Sequence, residues 1–92
     1  MIFTPEAEDT YESVVFQLSE RWSNKFVLEF ENHLEEVLEI LERSPFMYPV
    51  FEETMQIRRV ILHKNCSLLY KVTGNKVLVV CFWDNRQSPM FY

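Results

Sequence analysis

An α+β fold is predicted for this chain, with a two-helix hairpin packed on one face of an antiparallel sheet in the order βααβββ. Three observations predict it. Apolar residues recur at three- and four-residue steps as far as Leu41, which is the mark of helix faces. From Ile57 the period changes to two, the mark of strands. Gly74-Asn75 then separates two apolar runs where a tight hairpin turn belongs.

Met1-Ile2-Phe3 is a short apolar stretch that reads as the first strand. Thr4-Pro5-Glu6 ends it: Thr caps a helix, Pro suits the first helical position, and the acid suits the positive end. The first helix then presents Ala7, Tyr11, Val14, Val15, Leu18 and Trp22 as one stripe, with Glu8, Glu12 and Glu20 off it. Ser23-Asn24 breaks that helix and caps a second, whose stripe is Phe26, Val27, Phe30, Leu34, Val37, Leu38 and Leu41, ending near Arg43. Two antiparallel helices joined by a tight turn follow.

Residues 44–56 hold Pro45 and Pro49 and no helical period, so the segment reads as a loop. Its Phe46, Met47, Tyr48, Val50 and Phe51 bring it down onto the domain. Strand-like runs then span residues 57–63, 66–72 and 76–83. A two-residue turn at Gly74-Asn75 pairs residues whose numbers sum to 149. That register places Cys66, Leu68, Tyr70 and Val72 beside Val77, Val79, Cys81 and Trp83 on an apolar face toward the helices. Ser67, Leu69, Lys71, Leu78, Val80 and Phe82 make a mixed opposite face, only partly covered, where a binding surface is expected.

With 92 residues the chain makes one small domain, 1–92, large enough to bury roughly 60 to 70% of its unfolded surface. Eight Phe and a single Gly exclude a disordered chain. Neither a basic leader with an apolar run nor about 18 consecutive apolar residues is present, so a cytoplasmic protein with no membrane partner is expected. Cys66 and Cys81 are read as reduced, lying diagonally across the hairpin at roughly 7 Å. His63, Cys66 and Cys81 lack the paired spacing of zinc ligands, and one glycine cannot build a phosphate loop, so no metal or cofactor is expected. The run Glu35, Glu36, Glu39 and Glu42 reads as a solvated helix face.

Charge divides by half. Residues 1–54 carry thirteen acids against Arg21, Lys25 and Arg43, a balance of −10. Residues 55–92 carry Arg58, Arg59, Lys64, Lys71, Lys76 and Arg86 against Asp84, a balance of +5, and the two sum to the net −5. The second half is therefore the surface directed at an anionic partner. Arg58 and Arg59 are adjacent on a strand and point to opposite faces, one available to solvent or chemistry and one to pair with a helix acid. Lys64, Lys71 and Arg86 can join one of them in a phosphate-binding patch, and His63 and Tyr92 are the groups of this half able to move a proton. A solvated face with one structural ion pair accounts for the same residues.

Pro45 after the second helix, the strand start Ile57-Arg58-Arg59-Val60, the run Leu68-Leu69-Tyr70-Lys71-Val72, the strand at 76–82 and the tail Asp84-Asn85-Arg86-Gln87-Ser88-Pro89 occur in a telling order. In that order and at this length the chain resembles the RelE/ParE superfamily of toxins from bacterial type II toxin–antitoxin systems, also described as plasmid stabilization proteins. The resemblance implies a βααβββ fold and a cognate antitoxin with a partly disordered segment that wraps the toxin. RelE-like members cut mRNA in the ribosomal A site without a metal. That branch would make Arg58, Arg59, Lys64, Arg86 and Tyr92 catalytic. ParE-like members poison DNA gyrase and need no catalytic group of their own. A pI near 4.9 and the lack of a lysine-rich surface favour the ParE-like branch, or a non-toxic binding module that kept the fold. Phe46, Tyr48, Phe51 and, in the aromatic tail, Phe91 are expected to bind the antitoxin or a second copy.

Overall fold

The computed structural model describes residues 1–21, 23–63 and 66–84. Its elements are β1 (Ile2–Phe3), α1 (Pro5–Arg21), α2 (Asn24–Arg43), β2 (Val50–Glu52), β3 (Ile57–His63), β4 (Cys66–Thr73) and β5 (Lys76–Asp84). The strands form one sheet in the order β1-β5-β4-β3-β2. Both helices lie on one face of it, where Ala7, Phe30, Leu34, Val37 and Leu41 share a buried cluster with Val60, Leu62, Leu68, Tyr70, Val79 and Phe82. The α+β architecture is as the sequence predicts.

Two strands differ from that expectation. β1 runs parallel to β5, pairing Ile2 with Leu78 and Phe3 with Val79, so the sheet is mixed and only β2 to β5 form the antiparallel meander. Residues 50–52, read as loop, form β2 on the edge of β3. Pro49 precedes this three-residue edge strand, a position where the missing N–H does no harm, and three residues are too few to display a period. Beyond β2 the Glu52 carboxylate accepts the N–H groups of Met55 (2.7 Å) and Thr54 (3.0 Å), closing the turn into β3. Those bonds, the Met55 one foremost, hold its carboxyl below the ordinary value.

Local chemistry fixes the helix ends. Thr4 Oγ1 accepts the Ala7 N–H at 3.0 Å and donates to the Val80 carbonyl at 2.7 Å, so one hydroxyl caps α1 and ties it to β5. Ser23 caps α2 in extended backbone, its Oγ accepting the Phe26 N–H, and Ser44 N–H closes the last turn onto the Ile40 carbonyl just before Pro45. The Tyr11 hydroxyl reaches Glu31 Oε2 on α2 at 3.4 Å. Trp22, placed on the α1 stripe from sequence, lies outside the described residues.

The β4–β5 hairpin starts in the expected register, from Thr73 opposite Lys76 to Tyr70 opposite Val79, with Gly74 supplying the positive φ of 62° at the turn. One extra residue in β5 then shifts it, so that Leu69 faces Cys81 and Leu68 faces Phe82. A bulge of this kind reverses the faces of everything beyond it. Phe82 enters the helix-side core, and Cys81 and Trp83 join Ile57, Leu69, Phe51 and Val80 in a second cluster on the other face. The expected placement of Cys81 and Trp83 toward the helices, with Phe82 outside, is thereby corrected. The cause lies in β1, which stops at Phe3. Past that point α1 becomes the neighbour of β5, with Thr4 bonded to the Val79 and Val80 carbonyls and Thr10 Oγ1 accepting the Phe82 N–H at 2.9 Å.

The same shift puts Cys66 and Cys81 on opposite faces of the sheet, both buried and both free thiols. Burial, with Asp84 and Cys81 adding to it, pushes Cys66 from 9.0 to about 12. Burial and Glu6 push Cys81 to about 11. In the unfolded chain thiols ionise near roughly 8.5. Between there and the folded values the unfolded state therefore binds fewer protons, and stability falls as pH rises. Urea midpoints should drop steadily between about pH 8.5 and 11, and Cys66→Ala with Cys81→Ala should flatten that slope. An unchanged slope in the double variant would assign the alkaline loss to other groups.

Candidate functional site

β3 carries the most informative residues, because its two arginines serve different faces. Arg58 pairs with Tyr70 and Arg59 with Leu69 across the β3–β4 ladder, so the alternation read from the sequence holds. Arg58 lies on the helix side. Its Nη1 donates to the Tyr48 carbonyl at 2.6 Å and to the Phe46 carbonyl at 3.3 Å, and its guanidinium sits 5.1 Å from the Phe46 ring centre. The expected pairing of one of the two arginines with a helix acid is not what Arg58 makes, since carbonyls of the loop after α2 reach it first. The Tyr70 hydroxyl donates to the Pro45 carbonyl of the same loop at 2.7 Å, and burial raises its pKa.

Arg59 points to the other face. Its Nε donates to the Ser67 hydroxyl at 3.0 Å, and its guanidinium stacks 5.2 Å from the Phe51 ring centre. Ser67 is fully buried, so this bond is made out of reach of water. The floor beside it is apolar, with Ile57, Leu69 and Cys81 buried under Phe51, Val80 and Trp83. The sequence predicts only partial cover for this face, whereas Leu69 is inaccessible. His63, at the far end of β3, packs edge-on against Phe26 of α2 at 5.4 Å. Lys64, Arg86, Phe91 and Tyr92 lie outside the described residues. Of the proposed catalytic set, Arg58 and Arg59 are thus described, on opposite faces and each bonded to the fold.

The partner-binding residues divide as well. Phe46 and its neighbour Met47 are each 64% exposed, whereas Tyr48 packs against the helix-side core and Phe51 against the outer cluster. Ile61 is 61% exposed on β3. Two clefts flank this strand. One, of about 340 Å³, opens on the helix side among His33, Val37, Tyr48 and Val60. The other, of about 230 Å³, opens on the outer side among Val50, Phe51 and Arg59, and both share Pro49, Arg59 and Ile61. A third groove of about 240 Å³ runs between α1 and the end of β5, from Glu6 and Thr10 to Trp83 and Asp84. Sequence reasoning missed Thr4, Thr10, Ser67 and the Tyr70 hydroxyl, whose partners are mainly backbone atoms or a distant side chain. The capping signal at Thr4 pointed only to the helix.

No protein-family model matches this sequence, and no curated protein is significantly similar to it. No helix among the described residues is long and apolar enough to cross a membrane, and no cluster of three metal-ligating side chains occurs among them.

Proposed function

We propose that the chain is the toxin half of a bacterial type II toxin–antitoxin pair, a ParE-like member that inhibits growth by binding DNA gyrase and is neutralised by a cognate antitoxin. What supports the reading is the order of parts. A strand, a helix hairpin and an antiparallel meander occur in the sequence expected from the RelE/ParE resemblance, with Arg58-Arg59 at the start of β3. Binding is favoured over catalysis by one observation: Arg58 is held by the Phe46 and Tyr48 carbonyls and faces away from Arg59. Two cations on opposite faces of a sheet cannot hold one phosphate between them. Exposed Phe46 and Met47 give the module an apolar anchor for its antitoxin.

The test is growth of a bacterial host after tightly induced expression, with and without the gene encoded beside this one. Arrest relieved by the neighbour, with relaxed plasmid DNA and intact mRNA, is the expected result. Cleaved mRNA with normal supercoiling would transfer the chain to the ribosome-dependent endoribonucleases. Normal growth with folded protein would make it a binding module without toxicity.

A further inference from the structure

We infer that copies of this chain associate by seating the outer face of α1 of one copy on the loop after α2 of another. Phe16 then meets Phe46 and Met47, while Glu12 and Glu20 meet Arg43 and Arg58. The inference does not rest on the toxin reading, because it concerns the chain alone.

The loop is the acceptor. Phe46 and Met47 are each 64% exposed, and residues 43–51 contain no acid although the half of the chain that holds them carries thirteen. Arg58 lies against the Phe46 ring and uses only Nη1 for its two carbonyl bonds, so among the described residues its charge is bonded to no carboxylate. Arg43, exposed in the last turn of α2 three residues before Phe46, is likewise in no ion pair among them. An apolar patch edged by two cations results.

The chain carries the complement of this patch on α1. Phe16 is 63% exposed and stands about 200° around the helix from Val14, which packs against the core, so the ring faces away from the sheet. Glu12 and Glu20 lie four residues to either side of it, on the same face and both exposed, with no cation between them. Neither is in an ion pair among the described residues. The outer face of a surface helix is ordinarily polar, and here it holds an aromatic ring between two carboxylates.

Charge decides which surfaces meet. Two loops set together would oppose arginine to arginine, and two α1 faces would oppose carboxylate to carboxylate. Only the unlike pair buries its apolar side chains while neutralising both sets of charges. Because the two patches differ, the contact is heterologous, and each copy can give one patch and receive the other.

Sedimentation equilibrium of the whole chain, followed up to about 1 mM, suits a weak contact built on a few exposed side chains. The mass should rise with concentration, and Phe16→Ala should weaken the association at least about fivefold. Glu12→Lys with Glu20→Lys, and separately Arg43→Glu, should each weaken it by at least about fivefold at low salt. Arg58 is left in place because it holds the loop. These changes touch only exposed side chains, and thermal midpoints verify that each variant folds. An equimolar mixture of the two charge-reversed proteins should regain association, since the unaltered α1 of one finds the unaltered loop of the other. A chain that stays monomeric over that range, an association indifferent to Phe16→Ala or to the charge reversals, or a mixture no stronger than its parts would each overturn the inference.

Discussion

Replacing Phe82 by Ala should destabilise the fold by about 3–5 kcal/mol, the range for losing a phenyl ring from a packed core. A domain of this size holds only about 5–15 kcal/mol in all, so the variant should sit near its folding threshold. The magnitude follows from the bulge in β5. Phe82 is 3% exposed and lies 5.2 Å from the Tyr11 ring and 6.3 Å from the Phe3 ring, joining α1, β1 and β5 at one point. With an uninterrupted hairpin register the ring would stand on the opposite face, away from the helices. Val80, half-buried on that opposite face, supplies the comparison, and Val80→Ala should cost about 1 kcal/mol. Urea unfolding of the two variants, with the slope unchanged, measures the difference. Equal costs would mean that β5 continues without the bulge.

The same stretch shows where the sequence is legible and where it is not. Gly74-Asn75 announces its turn, and the register near the turn follows from it. Val79-Val80-Cys81-Phe82-Trp83 is apolar throughout, so no alternation marks which side chain faces the helices. What decides the matter is the length of β1 and the hydroxyls of Thr4 and Thr10, more than seventy residues away in sequence. Helix faces were easier to read, because Phe30, Leu34, Val37 and Leu41 keep one period over three turns and all are buried. β2 was hidden by brevity. At the candidate site the period of two gives the divergence of Arg58 and Arg59. It says nothing of what each one touches, because the carbonyls that hold Arg58 belong to every residue alike and leave no mark in composition or spacing.

Arg58→Ala should cost about 1.5–3 kcal/mol, the range for losing a charge-assisted bond, here the short, partly buried one to the Tyr48 carbonyl, with the longer bond to the exposed Phe46 carbonyl adding little. Arg58→Lys should recover only part of this, since an ammonium cannot hold two carbonyls in the planar geometry of a guanidinium while stacking on Phe46. Tyr70→Phe removes the second pin on the same loop, its bond to the Pro45 carbonyl, and should cost about 1 kcal/mol. Because Arg58 and Tyr70 face each other across the β3–β4 ladder and secure Pro45, Phe46 and Tyr48 together, the double variant should depart from additivity by about 0.5 kcal/mol or more. Additive losses would mean that the two bonds hold separate parts of the loop. The cycle bears on function, because that loop is what holds the exposed Phe46 and Met47 in place. If those two side chains anchor an antitoxin, Arg58→Ala and Tyr70→Phe should weaken neutralisation through the loop, whereas Phe46→Ala should weaken it at a cost to stability of only about 0.5–1 kcal/mol, the worth of its contact with Arg58. A growth-arresting chain whose neutralisation ignores all three would place the antitoxin elsewhere on the surface.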